Sequence, residues 1–133
     1  MTHSAILKAA AVVAAIFGVV MLLAPQQLAT LYGVPPLNST GMYNTQLYGA
    51  FLLGLAASNW GMSLMSEDAV RPVIVGNLIA TGLALIVVVV RQFQADATQA
   101  GWLNVAIFLV FTAAFGYELF ARLGGVHMHR PAH

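Results

Sequence analysis

The stretch VRPVIVGNLIATGLALIVVVV, residues 70–90, decides the fold. From Pro72 to Val90 it contains no charged residue. A bilayer core about 30 Å thick takes about 20 such residues as one helix. Three other stretches have the same character. Residues 5–24 carry only Lys8, residues 43–65 carry no charge, and residues 102–123 carry only Glu118 and Arg122. The sequence therefore predicts an all-α integral membrane protein, an antiparallel up-down-up-down bundle of four helices forming one transmembrane domain over residues 1–133. No segment alternates with the strict period of two that a membrane β-barrel needs.

Composition agrees. Of 133 residues, 60% are hydrophobic and 7% are charged, against roughly 25% charged in soluble domains. Five Lys or Arg and four Asp or Glu cannot clothe a soluble surface of this size. A formal net charge of +1 leaves no basic field for nucleic acid. The absence of cysteine excludes a disulfide framework, a thiol redox centre and a Cys-based metal site.

The first stretch is longer than the roughly 7–15 residues of a signal-peptide core, so it is expected to be a span. Lys8, Arg71, Arg122 and Arg130 fall with the termini and the second connection, and only Arg91 falls opposite. That bias predicts both termini in the cytoplasm of a bacterial inner membrane. Lys8 is expected to reach toward the inner headgroups. Tyr32, Tyr43, Phe93 and Trp102 suit the outer interface, and Trp60 and Tyr117 lie near the inner one.

The connections differ in kind. Pro25 suits the first position of a helix, and Leu28, Leu31 and Tyr32 recur at helical spacing before Gly33 stops it. Residues 25–32 are expected to form a short interfacial helix on the outer leaflet. Ser66, Glu67 and Asp68 are expected to cap the third span, with Pro72 in its first turn.

Lipid tails are as apolar as Leu, so helices associate through small residues that permit close approach. Ala50, Gly54 and Ser58 make one such stripe, and Gly76, Ala80 and Ala84 make another. The second and third spans are expected to meet along them. Phe108, Phe111 and Phe115 form a bulky stripe on the fourth span. It suits packing, or a pocket for a flat hydrophobic ligand. Asn59, Asn77, Thr81 and Asn104 are polar groups within spans. They suit interhelical hydrogen bonding, or a polar rim for one end of an amphiphile such as a quinone, a sterol-like molecule or a lipid headgroup.

Ionisable groups within spans are functional candidates by default. Glu118 is the one here, with Arg122 four residues later in the order that favours a helical ion pair. Glu118 and the neighbouring Tyr117 are the only catalytic candidates, and the alternative for Glu118 is an interfacial pair with Arg122. His127 and His129 are the only metal candidates, without a carboxylate or Cys to complete a set. No span holds a His for haem, and there is no phosphate-binding GxxxxGK loop.

One pattern spans nearly the whole chain. Ala24-Pro25 and a Leu28–Tyr32-Gly33 segment lead through a proline-rich turn to Gln46-Leu47-Tyr48-Gly49-Ala50 and Gly54-Leu55-Ala56-Ala57. Arg71-Pro72 and Asn77 follow, then Trp102 and Phe115-Gly116-Tyr117. This resembles the small bacterial four-helix inner-membrane proteins of the DoxX-like type. The resemblance implies a membrane setting, in some relatives as subunits of quinone-linked oxidoreductases, and carries over no catalytic residue.

The sequence favours a non-catalytic membrane protein, an accessory subunit of a larger assembly or a binder of a lipophilic molecule such as a quinone or a lipid. Its expected partners are the bilayer and other membrane subunits or further copies of itself. The alternatives are a quinone-linked oxidoreductase component, with Glu118, Tyr117, Asn59 and Asn77 as its groups, and a small transporter or metal-handling protein using the terminal histidines.

Overall fold

The computed structural model describes residues 2–123, with side chains through Ala121. Arg122's side chain and the His127 and His129 metal candidates lie outside that description. The described residues form five α-helices: α1 (His3–Leu23), α2 (Pro25–Leu31), α3 (Ser39–Met62), α4 (Glu67–Gln92) and α5 (Gly101–Tyr117). A π-helical turn, Glu118–Leu123, continues α5. No strand occurs among the described residues.

Local chemistry sets most ends. The Thr2 hydroxyl accepts the Ala5 N–H at 3.2 Å and opens α1. Pro25 is the first residue of α2, where its missing N–H would be unpaired anyway. Gly33 adopts φ +70°, a left-handed conformation that suits glycine and ends the turn after α2. Asn38 Oδ1 accepts the Gly41 N–H at 2.8 Å and opens α3. The expected side-chain cap by Ser66 does not form; its carbonyl takes the Val70 N–H at 3.1 Å instead. Because α4 begins at Glu67, Pro72 lies in its second turn rather than its first and deprives the Asp68 carbonyl of a helical partner.

Three helices are long and apolar enough to cross a membrane: His3–Leu23, Glu67–Gln92 and Gly101–Ala121. The fourth expected span corresponds to α3, whose 24 residues are long enough. It begins at Ser39, earlier than expected, and with Asn44, Thr45, Gln46, Ser58 and Asn59 along its length it is less apolar than the other three.

The helices pack as two antiparallel pairs, α1 with α3 and α4 with α5, and the pairs touch each other only slightly. One register runs the length of the first pair. Gln46 Nε2 donates to the Leu22 carbonyl at 3.3 Å, Gly18 meets Gly49, the Lys8 ammonium lies 5.7 Å from the Trp60 ring centre, and His3 Nε2 lies 3.4 Å from the Met65 carbonyl. Gly18 and Gly49 are the close approach. A Cβ on Gly18 would sit 2.9 Å from the Gly49 carbonyl oxygen, and one on Gly49 would sit 2.8 Å from that of Gly18.

The small-residue stripes expected to join the second and third spans do not do so. Gly54 and Gly76 have nothing within 4 Å of where a Cβ would stand. Ala50, Ser58 and Ala80 are exposed, and Ala84 is half-buried. The reason is a rotation of about 100° per residue along a helix. The buried face of α3 carries Gly49, Ala56 and Asn59, and it turns chiefly toward α1.

Ile6, Leu7, Val70, Ile74 and Phe115 form the buried core, with Met62 and Leu119 against it. It draws α1, α4 and α5 together at the His3 end of the molecule. Outward faces are apolar: Ile79, Leu83, Ile86 and Val90 on α4 are 57, 59, 61 and 58% exposed. A soluble protein would not leave so long an apolar stripe uncovered.

Candidate functional site: a cavity between the two helix pairs

Above the core the two pairs stand apart and enclose a cavity of about 480 Å³, within the range of small-molecule sites. Its wall on α1 runs from Ala10 to Met21, and on α5 from Asn104 to Phe115. At 1.5 Å per residue both stretches are about 16 Å long, so the cavity lies along the helices. The α2 helix closes over its far end with Pro25, Leu28 and Tyr32. A short helix is thus present where one was expected over residues 25–32, with Leu28 and the adjoining Tyr32 turned to the cavity and Leu31 exposed.

The wall is mostly apolar. Phe111 and Phe115 stack with ring centres 6.1 Å apart and planes at 28°, and Phe108 stands a turn above. Polar groups gather at two places. Near the core, Asn59 and Asn77 exchange amide hydrogen bonds of 3.1 and 3.0 Å between α3 and α4. Asn77 Nδ2 also donates to the Val73 carbonyl at 2.9 Å. One turn on, the Thr81 hydroxyl donates to the Asn77 carbonyl at 2.7 Å. At the α2 end the Tyr32 hydroxyl donates to Asn104 Oδ1 at 2.9 Å, and the Thr98 hydroxyl donates to the Tyr32 carbonyl at 2.7 Å. Burial pushes the Tyr32 phenol above its ordinary range, and the Asn104 amide, which can turn its NH₂ to the phenolate, opposes part of that rise.

Asn59, Asn77, Thr81, Asn104, Phe108, Phe111 and Phe115, singled out from sequence, all line this one cavity. Sequence reasoning missed Tyr32, Leu28 and the α1 wall at Ala10, Ala14 and Phe17. A signal for α1 was there: Ala10, Ala14, Phe17 and Met21 recur at spacings of four and three, as one face of a helix does.

The two catalytic candidates do not line the cavity. Tyr117 is exposed. Glu118 is 1% exposed and partnered within the protein; its expected pairing with Arg122 falls on a side chain outside the described residues. Glu118 lies beyond Phe115, on the π-helical turn. Among the described residues no group of three or more His, Cys, Asp or Glu is placed to hold a metal.

Among the described residues, no Asp, Glu, Lys, Arg or His lines the cavity. Neutral amides, two threonines and a phenol offer hydrogen bonds and shape, and none is a base near neutral pH. Comparison with family models, curated proteins and solved structures finds no match to this chain.

Proposed function

We propose that this chain is a non-catalytic, multi-pass inner-membrane protein that binds a lipophilic small molecule or lipid, alone or as an accessory subunit of a larger assembly. In this reading α1, α3, α4 and α5 are the four spans of an up-down-up-down bundle, both termini face the bacterial cytoplasm, and the chain is of the DoxX-like kind. The observation that carries it is the apolar cavity of about 480 Å³ with a buried amide pair at one end. A cavity that long, lined so largely by aliphatic and aromatic side chains, suits an elongated hydrophobic molecule. The outward stripes with Gly54 and Gly76 suit packing against partner helices or further copies.

The alternatives have less support. An oxidoreductase component would draw on Glu118, Tyr117, Asn59 and Asn77; only the two amides line the cavity, and the titratable Glu118 and Tyr117 do not. A transporter needs a path through, whereas the Ile6, Leu7, Val70, Ile74 and Phe115 core fills the His3 end. Metal handling would rest on His127 and His129, and deletion after Gly125 would remove that site.

The test is mass spectrometry of the chain purified in mild detergent. One lipophilic molecule per chain, displaced by an added long-chain amphiphile, is the expected result. A chain that carries none and takes up none contradicts the proposal.

A further inference from the structure

We propose that the cavity selects an uncharged, single-headed long-chain amphiphile, held by a hydroxyl or carbonyl oxygen at Asn59, over an ionised lipid of the same chain. This rests on the reading of the cavity as a lipophile site and adds the chemistry of the head.

Two observations carry it. The first is the hydrogen-bond inventory of the amide pair. An Asn amide has two donor protons and one acceptor oxygen with two lone pairs. Asn77 uses both protons, one to Asn59 Oδ1 and one to the Val73 carbonyl. Asn59 donates one proton, to Asn77 Oδ1, and its second has no acceptor among the described residues. Asn59 is 1% exposed and lines the cavity. A buried N–H of this kind is costly unless an oxygen meets it. The Thr81 hydroxyl oxygen lines the same stretch and retains acceptor capacity after donating to the Asn77 carbonyl. One donor beside several acceptors matches a hydroxyl fully and a carbonyl in part.

The second observation is the absence of any counter-charge. Among the described residues no acidic, basic or imidazole group lines the wall, and an ionised head taken from water needs one. The α2 end supplies none either. Tyr32 donates its single proton to Asn104, and Arg91 in the last turn of α4 pairs with Asp96 at 2.8 Å. An ionised lipid therefore gains no partner head-first or tail-first.

Equilibrium binding of three labelled probes to the full chain in zwitterionic micelles tests this: oleyl alcohol, oleate at mildly alkaline pH, and 1-octadecene. Oleyl alcohol is expected to bind about tenfold or more tighter than oleate. Asn59→Leu is expected to weaken oleyl alcohol about three- to tenfold, to the level of octadecene, and to leave octadecene unchanged. Should Asn59→Leu fail to fold, Asn59→Leu/Asn77→Leu removes both halves of the pair, and the wild-type comparison stands by itself. Oleate binding as tightly as the alcohol overturns the selection while leaving the cavity a lipophile site. An alcohol affinity untouched by the Asn59 substitution overturns the placement of the head. Failure of all three probes to bind overturns this inference together with the function it rests on.

Discussion

Asn59 and Asn77 face each other across the two helix pairs and exchange amide hydrogen bonds of 3.1 and 3.0 Å. They are 1% and 7% exposed, on helices that otherwise touch only slightly. The pair both joins α3 to α4 and forms the polar corner of the cavity. Replacing either Asn by Leu leaves the other amide buried with unmet groups. Each single variant is expected to lose about 1–2 kcal/mol of unfolding free energy. The double Leu variant is expected to lose less than the sum of the singles. A double-mutant cycle in micelles measures this, and strictly additive losses would mean the two amides are not coupled.

Gly18 and Gly54 give opposite expectations for the same substitution. Gly18→Ala drives a methyl to 2.9 Å from the Gly49 carbonyl oxygen, a backbone atom that cannot step aside cheaply. It is expected to cost about 1–3 kcal/mol as α1 and α3 are forced apart. Gly54→Ala meets nothing and is expected to be neutral, or to stabilise by up to about 1 kcal/mol through helix propensity. Thermal unfolding of the two variants side by side checks the register of α1 on α3.

Tyr32 makes one end of the cavity pH-dependent. Burial disfavours the phenolate and pushes this phenol above the ordinary tyrosine range in the folded chain. The unfolded chain therefore releases this proton first. Stability is full below about pH 10, falls as pH rises above that value, and levels off past the folded pKa. Tyr32→Phe is expected to remove that component of the decline. Unfolding curves of wild type and Tyr32→Phe that fall in parallel above pH 10 would count against it.

Glu118 separates stability from ligand binding. It is buried and partnered but does not line the cavity. Glu118→Leu is expected to cost about 1–3 kcal/mol, since it removes the carboxylate that the partner of this buried residue bonds to. Glu118→Gln keeps hydrogen-bonding capacity and is expected to cost less. Lipophile affinity of the folded Gln variant is expected to equal that of wild type. A loss of affinity at unchanged stability would give Glu118 a role in the site.

Periodicity and composition made the helices legible. The uncharged run from Pro72 to Val90 falls within a single helix, and Pro25 and Gly33 bound α2 as their conformational preferences dictate. The polar and aromatic positions of the site were legible too, since Asn59, Asn77 and Thr81 are costly inside an apolar chain unless they bond or bind. Helix pairing was not legible. Gly49 and Ala50 are adjacent in sequence but face different ways, one buried and one exposed. Nothing in the spacing of small residues says whether α3 turns its contact face to α1 or to α4. The burial of Glu118 was hidden for a related reason. It depends on the turn where α5 passes into a π-helix, and local sequence does not announce that change.

A structure of the chain in lipid nanodiscs at side-chain resolution, prepared from native membranes, tests the binding cavity most directly. The expected result is one elongated density about 16 Å long, running from Asn59 past Phe111 to Asn104. It should end within hydrogen-bonding distance of Asn59 Nδ2. A cavity closed by α4 and α5 collapsing onto α1 and α3, with no density between the pairs, would contradict it.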